Sequence, residues 1–223
     1  MERCQKVIVL PRPGAPEINL AAEIAEPLAR LSAAAELGFR FFVLPVGDPL
    51  STARWILASF QSGLAVVPLA PNLPSAAKAE ALAQLPAGAW ITVEDLPPPA
   101  AKLAVPKPPG ETWCVIFSSG STGKPKGIAL SGEGLRQAAF AHASHSGAGQ
   151  ATWLMDLSPA HVGGFSVLSR AFFLGAKVAL GAPRFQAAET LRWLRDGRVN
   201  GLSLVPTTLW RLLQESNFPS DFA

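Results

Sequence analysis

Residues 113–127 read WCVIFSSGSTGKPKG, an apolar run that passes directly into glycines, hydroxyls and lysines. A short apolar run bounded by turn residues reads as a buried strand. A strand that enters a Gly/Ser/Thr loop and then a helix is how α/β folds hold phosphates, because glycines let several backbone N–H groups converge on one anion. Here Gly120 and Gly123 supply backbone freedom, and Ser118, Ser119, Ser121 and Thr122 supply hydroxyls. Lys124 and Lys126 supply charge without demanding a planar partner, and Pro125 stiffens the exit. Three familiar motifs fail on spacing. A Walker loop needs four residues between its first glycine and Gly-Lys, and Gly120 and Gly123 enclose only two; this sets aside a P-loop NTPase. Gly120, Gly123 and Gly127 do not make the dinucleotide fingerprint. A nucleophile elbow around Ser121 would need glycine where Ser119 stands. By spacing alone, a long polar surface turn is the competing reading.

Outward from this stretch, apolar runs alternate with amphipathic ones. Strands are expected at 6–10, 40–46, 64–71, 113–118, 152–157, 176–181 and 201–206. Helix-like stretches lie between them. The one at 18–38 should kink or restart at Pro27. That at 49–63 has Ser51 as a candidate N-cap and Gly63 as a stop, and 75–85 is a shorter one. The stretch at 134–144 puts Leu135, Ala138, Ala139 and His142 on one face, with Ser131 as cap. Others run over 162–175, over 187–197 to Gly197 and over 207–216 from Thr207. This alternation predicts an α/β fold of βαβ units with mainly parallel sheets. Residues 96–111 hold six prolines and read as a linker, dividing an N-terminal α/β subdomain (1–95) from an α/β segment with the glycine loop (112–223).

The 223 residues are 49% hydrophobic, enough for a sizeable core. Net charge is +3 with scattered lysines and arginines, and no basic run is interleaved with aromatics, so nucleic acid is not an expected partner. No window holds the ~18 apolar residues of a membrane span. The N-terminal apolar stretch is too short for a signal peptide. Cys4 and Cys114 lie far apart in no metal-type spacing and read as free thiols. Together these predict a soluble cytoplasmic protein with no membrane partner.

SSGSTGKPKG (118–127) resembles the signature of the adenylate-forming, AMP-binding superfamily of acyl- and aryl-CoA synthetases, peptide-synthetase adenylation domains and luciferases. FQSGLAVVPLAPNLP (60–74) resembles an upstream segment of that family. LSPAHVGGFSVL (157–168), GAKVAL (175–180) and SLVPTTLWRLL (203–213) resemble its downstream core. The wording HVGGFSVL and LVPTTLWRLL resembles, in particular, the o-succinylbenzoate–CoA ligases of menaquinone biosynthesis.

The resemblance implies an acid–thiol ligase (AMP-forming) that uses ATP, Mg²⁺ and CoA on a small-molecule carboxylic acid. It assigns Ser118, Ser119, Gly120, Ser121, Thr122, Gly123 and Lys126 to the phosphates, and leaves Lys124 as a non-signature position facing solvent. It places His161, Gly163 and Gly164 near the acid or the thiol channel, where the glycines would let an aromatic acid approach the backbone. A capping or core role is the competing reading of His161. His142 and His145, at i, i+3, read as a solvated or partly buried face without a third metal ligand. Trp153, Trp193 and Trp210 read as core aromatics. The family's Gly-x-Thr-Glu segment, ribose-binding Asp, hinge and lid lysine are not found. The resemblance is therefore to an N-terminal portion, expected to be inactive by itself and to self-associate through an exposed half-domain surface. The alternative is a non-catalytic module that binds an acid, a phosphate or a partner on the same scaffold.

Overall fold

The computed structural model of the chain describes residues 7–99, 107–118, 124–146 and 151–215. In chain order the strands are Ile8–Leu10 (β1), Ile18–Asn19 (β2), Phe41–Pro45 (β3), Ala65–Leu69 (β4), Trp90–Thr92 (β5), Thr112–Ser118 (β6), Lys126–Ser131 (β7), Thr152–Met155 (β8), Lys177–Leu180 (β9) and Gly201–Leu202 (β10). The helices are Leu20–Glu23 (α1), Ala25–Glu36 (α2), Pro49–Ser59 (α3), Ser75–Leu82 (α4), Gly132–Ser146 (α5), Val162–Leu174 (α6), Ala187–Asp196 (α7) and Pro206–Leu213 (α8).

The strands form two five-stranded sheets, in the orders β5-β3-β4-β6-β7 and β10-β8-β9-β1-β2. Each is parallel except for one antiparallel edge strand, β7 in the first sheet and β2 in the second. The sheets do not follow a division at 96–111. β6 and β7 extend the sheet built by β3, β4 and β5, while β1 and β2 join the sheet of β8, β9 and β10. The Pro-rich stretch thus leads from one strand to another of the same sheet, and Ser62 and Lys107 form a parallel bridge at its far end.

Helices lie between the sheets. α3 packs on β3 and β4, α6 packs on β8 and β9, and α3 meets α6. Their junction is aromatic. The ring of Phe60 lies 5.4 Å from that of Trp113, 5.8 Å from Phe165 and 5.1 Å from Phe172, and the Trp113 ring is 5.6 Å from Phe173. Aromatic pairs at these separations add to what their burial contributes. One apolar core runs from Val7 to Leu180 and joins both sheets.

Local chemistry explains most element ends. Pro27 lies in the first turn of α2, where its missing N–H removes no helical bond, so the helix restarts before it, after a break at Ile24. Asp48, not Ser51, caps α3: its side chain accepts from the Ser51 N–H at 2.8 Å, with Pro49 as first helical residue. Ser131 caps α5 as expected, accepting from the Gly134 N–H at 3.0 Å. α8 begins at Pro206, one residue before Thr207, and Thr208 Oγ1 accepts from the Val205 N–H at 3.0 Å. α7 ends at Gly197, which adopts φ +73°. Trp153 and Trp193 are buried, but Trp210 is 63% exposed. It lies two residues from each of Thr208 and Leu212, the buried positions of α8, and a helix turns that spacing to its opposite side.

Candidate functional site

The signature begins on one arm of a β-hairpin and ends on the other. Ser118 is the last residue of β6 and pairs across the ladder with Lys126, the first residue of β7. The expected step from loop to helix is therefore corrected: β7 intervenes, and α5 starts only at Gly132. The alternation of Ile128 and Leu130 with Gly127, Ala129 and Ser131 is the period-2 signal of that strand. The segment that leaves the loop is therefore a strand, and the N-terminus of α5 lies a whole strand away from it. Ser119, Gly120, Ser121, Thr122 and Gly123 lie outside the described residues. Ser118, Lys124 and Lys126 are exposed. The Ser118 hydroxyl lies 3.5 Å from the Lys126 carbonyl oxygen, too long for a firm O–H···O bond.

The second expected group sits at the entrance to α6, on the other sheet. His161 is the exposed N-cap residue, in extended conformation, and its side chain makes no capping bond. Its backbone does the local work, donating to Ser158 O and accepting from Phe165 N, each at 3.0 Å. At Gly164 a Cβ would strike Leu157 O and stand 2.5 Å from Ser158 O; at Gly163 it would stand 2.9 Å from Leu157 Cδ1. The close approach that needs glycine at 164 is to the chain's own backbone.

Two clefts share the residues Pro49, Ala182 and Pro183. The narrower is lined by Val46, Gly47 and Thr52 after β3 and by Met155, Leu157 and Ser158 at the end of β8. The wider, about 330 Å³, is lined by Pro11, Asp48, Leu50, Leu180, Gly181 and Glu189. The carboxyl ends of strands from both sheets therefore meet in one region, the place where open α/β sheets bind ligands. Ser118, Lys126 and His161 line neither cleft.

Two buried charges lie against the sheet that contains β8, and sequence reasoning singled out neither. Asp156 follows β8 and is 4% exposed. Thr190 Oγ1 donates to its Oδ2, while Oδ1 has no partner among the described residues. A Cβ on Gly181 would stand 2.5 Å from that Oδ1. Burial pushes the Asp156 carboxyl up to about 6; the Thr190 bond pulls it back and Glu189 adds to the rise. Arg170 on α6 is 5% exposed. Its guanidinium lies 4.2 Å from the Trp153 ring centroid and donates from Nη2 to Ser203 Oγ at 3.3 Å, and its Nε has no partner among the described residues. Burial lowers its pKa. His142 meets the same Trp153 ring edge-on at 4.8 Å, and its pKa is lowered by burial, then by Arg170 and His145. Beyond His142 and Trp153, which the sequence marks as a helix-face histidine and a core aromatic, the trace of this cluster is an arginine inside the apolar helix VGGFSVLSRAFFL.

The profile of the AMP-binding enzyme family matches residues 87–223. The 2-succinylbenzoate–CoA ligase of Listeria monocytogenes serotype 4b is 31% identical over 111 residues, which cover 47% of this chain and 24% of that ligase. The chain thus matches about a quarter of the length of that curated relative. Among solved structures, o-succinylbenzoate CoA synthetase from Bacillus subtilis in complex with the acyl-adenylate intermediate OSB-AMP superposes with TM-score 0.77 at 23% identity, covering 95% of this chain and 62% of that one. The same synthetase in complex with ATP and magnesium ion gives TM-score 0.77, covering 96% and 49%. At that identity the likeness is one of fold, and it agrees with the mixed α/β architecture and its mainly parallel sheets. The family match over 87–223, which includes the whole 118–127 signature, makes this chain a member of the AMP-binding enzyme family.

Proposed function

We propose that this chain carries the phosphate-handling portion of an ATP-dependent acid–CoA ligase of the o-succinylbenzoate type. The observation that supports this best is the hairpin that presents the signature at the carboxyl end of β6 with Ser118 and Lys126 exposed at its base. In the first half-reaction a carboxylate oxygen of the acid attacks the α-phosphorus of ATP. The bond to the β-phosphate breaks, and pyrophosphate leaves with the electron pair. In the second, the thiol sulfur of CoA attacks the acyl carbon and gives up its proton to solvent, the bond from that carbon to the phosphate oxygen breaks, and AMP leaves with the electron pair.

The roles of individual residues follow from their chemistry. Hydroxyls of Ser118, Ser119, Ser121 and Thr122 and backbone N–H groups around Gly120 and Gly123 donate to the β- and γ-phosphate oxygens, and Lys126 adds charge. Such donors stabilise the departing pyrophosphate most, because its negative charge grows as the bond breaks. Among the described residues no three His, Cys, Asp or Glu side chains form a metal site. Mg²⁺ bound to a nucleotide takes most of its ligands from phosphates and water and only one or two from protein, so the ion would arrive on the phosphates of ATP. His161 and Gly163 stand at the mouth of α6, where the acid would enter, whereas Gly164 is occupied by packing. A carboxylate of the acid suits Arg170, a buried guanidinium whose Nε has no partner among the described residues.

Three titrations test the reading. Pyrophosphate and ATP should bind this 223-residue chain about equally, with dissociation constants on the order of millimolar, and adenosine should not bind. Lys126→Ala should weaken both anions, and Lys124→Ala should do less. Adenosine binding as well as ATP, or pyrophosphate binding unchanged by Lys126→Ala, would return the loop to a polar surface turn. The chain alone should show no ATP–pyrophosphate exchange with o-succinylbenzoate; exchange well above the Lys126→Ala background overturns that part.

A partner-binding role draws support from α8, which exposes Leu209, Trp210 and Leu213 together. Sedimentation should show self-association that Trp210→Ser weakens. A chain monomeric at every concentration tested removes this second reading.

A further inference from the structure

We propose that Gln84 is a positioning residue for the signature: its side-chain amide clamps the arm that carries Lys126 and so sets the affinity of the hairpin for polyphosphate. β7 is the edge strand of its sheet, and among the described residues no strand neighbours its outer side. At the base of the loop Gln84 takes that neighbour's place. Its Nε2 donates to Pro125 O at 2.7 Å, and its Oε1 accepts from Gly127 N at 3.0 Å. A carbonyl at one residue and the N–H two residues on face the same edge of a strand, and a primary amide holds one donor and one acceptor to match them. Lys126 is the residue between. Its two flanking peptides are held on the outer side by Gln84, and on the inner side Lys126 pairs with Ser118.

The clamp is itself anchored. Gln84 lies in the turn that ends α4, where Gln84 N donates to Ala81 O at 3.2 Å and Leu85 N to Leu82 O at 3.0 Å. The next side chain, Leu85, is buried in the cluster of Val43, Val67, Leu69 and Val115. Nε2 also donates to Glu80 O at 3.2 Å, which fixes the amide's rotation. A segment some forty residues upstream of the signature thus determines where its lysine stands. Glutamate at 84 could accept from Gly127 but would set a carboxylate against Pro125 O. Asparagine is one methylene too short to reach both groups from the same turn.

The clamp is a statement about geometry; its effect on affinity rests on the phosphate reading above. The experiment compares the 223-residue chain with Gln84→Ala, Gln84→Glu and Gln84→Asn, and with Lys126→Ala as control. Hydrogen exchange of the Gly127 amide and tryptic cleavage after Lys126 report the arm; Pro125 shields Lys124 from trypsin. Gln84→Ala should raise both rates about ten-fold, the loss expected when two hydrogen bonds of ordinary net strength are removed. The urea midpoint should fall by no more than those two bonds are worth, so the fold itself is kept. The glutamate and asparagine variants should not rescue. Pyrophosphate binding should weaken several-fold in all three. Exchange at Gly127 unchanged in Gln84→Ala overturns the clamp. Faster exchange with pyrophosphate binding unchanged, while Lys126→Ala weakens it, overturns the effect on affinity. If Lys126→Ala itself changes nothing, the phosphate reading fails and takes the affinity effect with it, and Gly127 exchange still decides the clamp.

Discussion

The signature hairpin and the entrance to α6 are the two places that the sequence marks for function, and the chain builds them in opposite ways. The hairpin is an exposed edge, held by its ladder and by the amide of Gln84. The α6 entrance is packed so closely that Gly164 lies against the backbone of Leu157 and Ser158, with buried Asp156 just before them. Side chains at an exposed edge can change with little effect on folding, so their chemistry is open to selection by a ligand. Side chains in a packed turn are selected first by whether the chain can close around them. Similar glycine-containing motifs therefore carry different weight as functional signals in the two places.

The largest effect should come from the packed side. Gly164→Ala places a methyl against two backbone carbonyls that cannot move without shifting the start of α6. It should cost about 3 kcal/mol or more in urea unfolding, at the upper end of overpacking. A variant within about 0.5 kcal/mol of the parent, the range of ordinary surface changes, would erase the contrast.

Next is Asp156. Its folded-state pKa of about 6 lies above its usual 3.8. Below about pH 4 the carboxyl is protonated in folded and unfolded chains alike, and it costs nothing. Between pH 4 and 6 the unfolded chain has released the proton and the folded chain still holds it, so stability falls as pH rises. Above pH 6 the whole penalty is present, on the order of 3 kcal/mol at 1.36 kcal/mol per pKa unit. Asp156→Asn should flatten this part of the pH profile and gain stability relative to the parent at pH 7. Urea midpoints measured from pH 4 to 8 check both statements. A parent profile that rises across the window would remove Asp156 from the packed, desolvated side of the comparison.

The smallest change in stability belongs to the hairpin. Lys126→Ala should shift unfolding by less than about 0.5 kcal/mol while weakening pyrophosphate. A large loss of stability in this variant would mean that the hairpin is structural in the same sense as the α6 entrance.

Much of this molecule was legible in residue order. Strands and helices follow short-range patterns: the apolar runs of β3, β4, β6, β8 and β9 all lie where expected, because burial on a sheet repeats within a few residues. Helix ends at Ser131 and Gly197 follow from a hydroxyl and a left-handed glycine. The signature chemistry is local too, since Ser118 through Gly127 are consecutive. β7 escaped because its alternation is carried by only two large apolar residues beside a motif that drew the eye to a helix.

What only tertiary structure decided is everything that depends on which strands become neighbours. Residue order places β1 far from β9 and β4 well before β6, yet these pairs are hydrogen-bonded, and two sheets that cross the Pro-rich stretch result. Nothing in the local pattern at Gln84, Asp156, Arg170 or Trp210 states what will lie against it. Gln84 becomes a clamp because β7 is an edge. Asp156 becomes a buried carboxyl because α7 brings Thr190 over the end of β8. Trp210 stands exposed because of the side of α8 it occupies. Local propensity is settled within a few residues, but pairing and burial are settled by the free energy of closing the whole core, to which distant segments contribute as much as near ones.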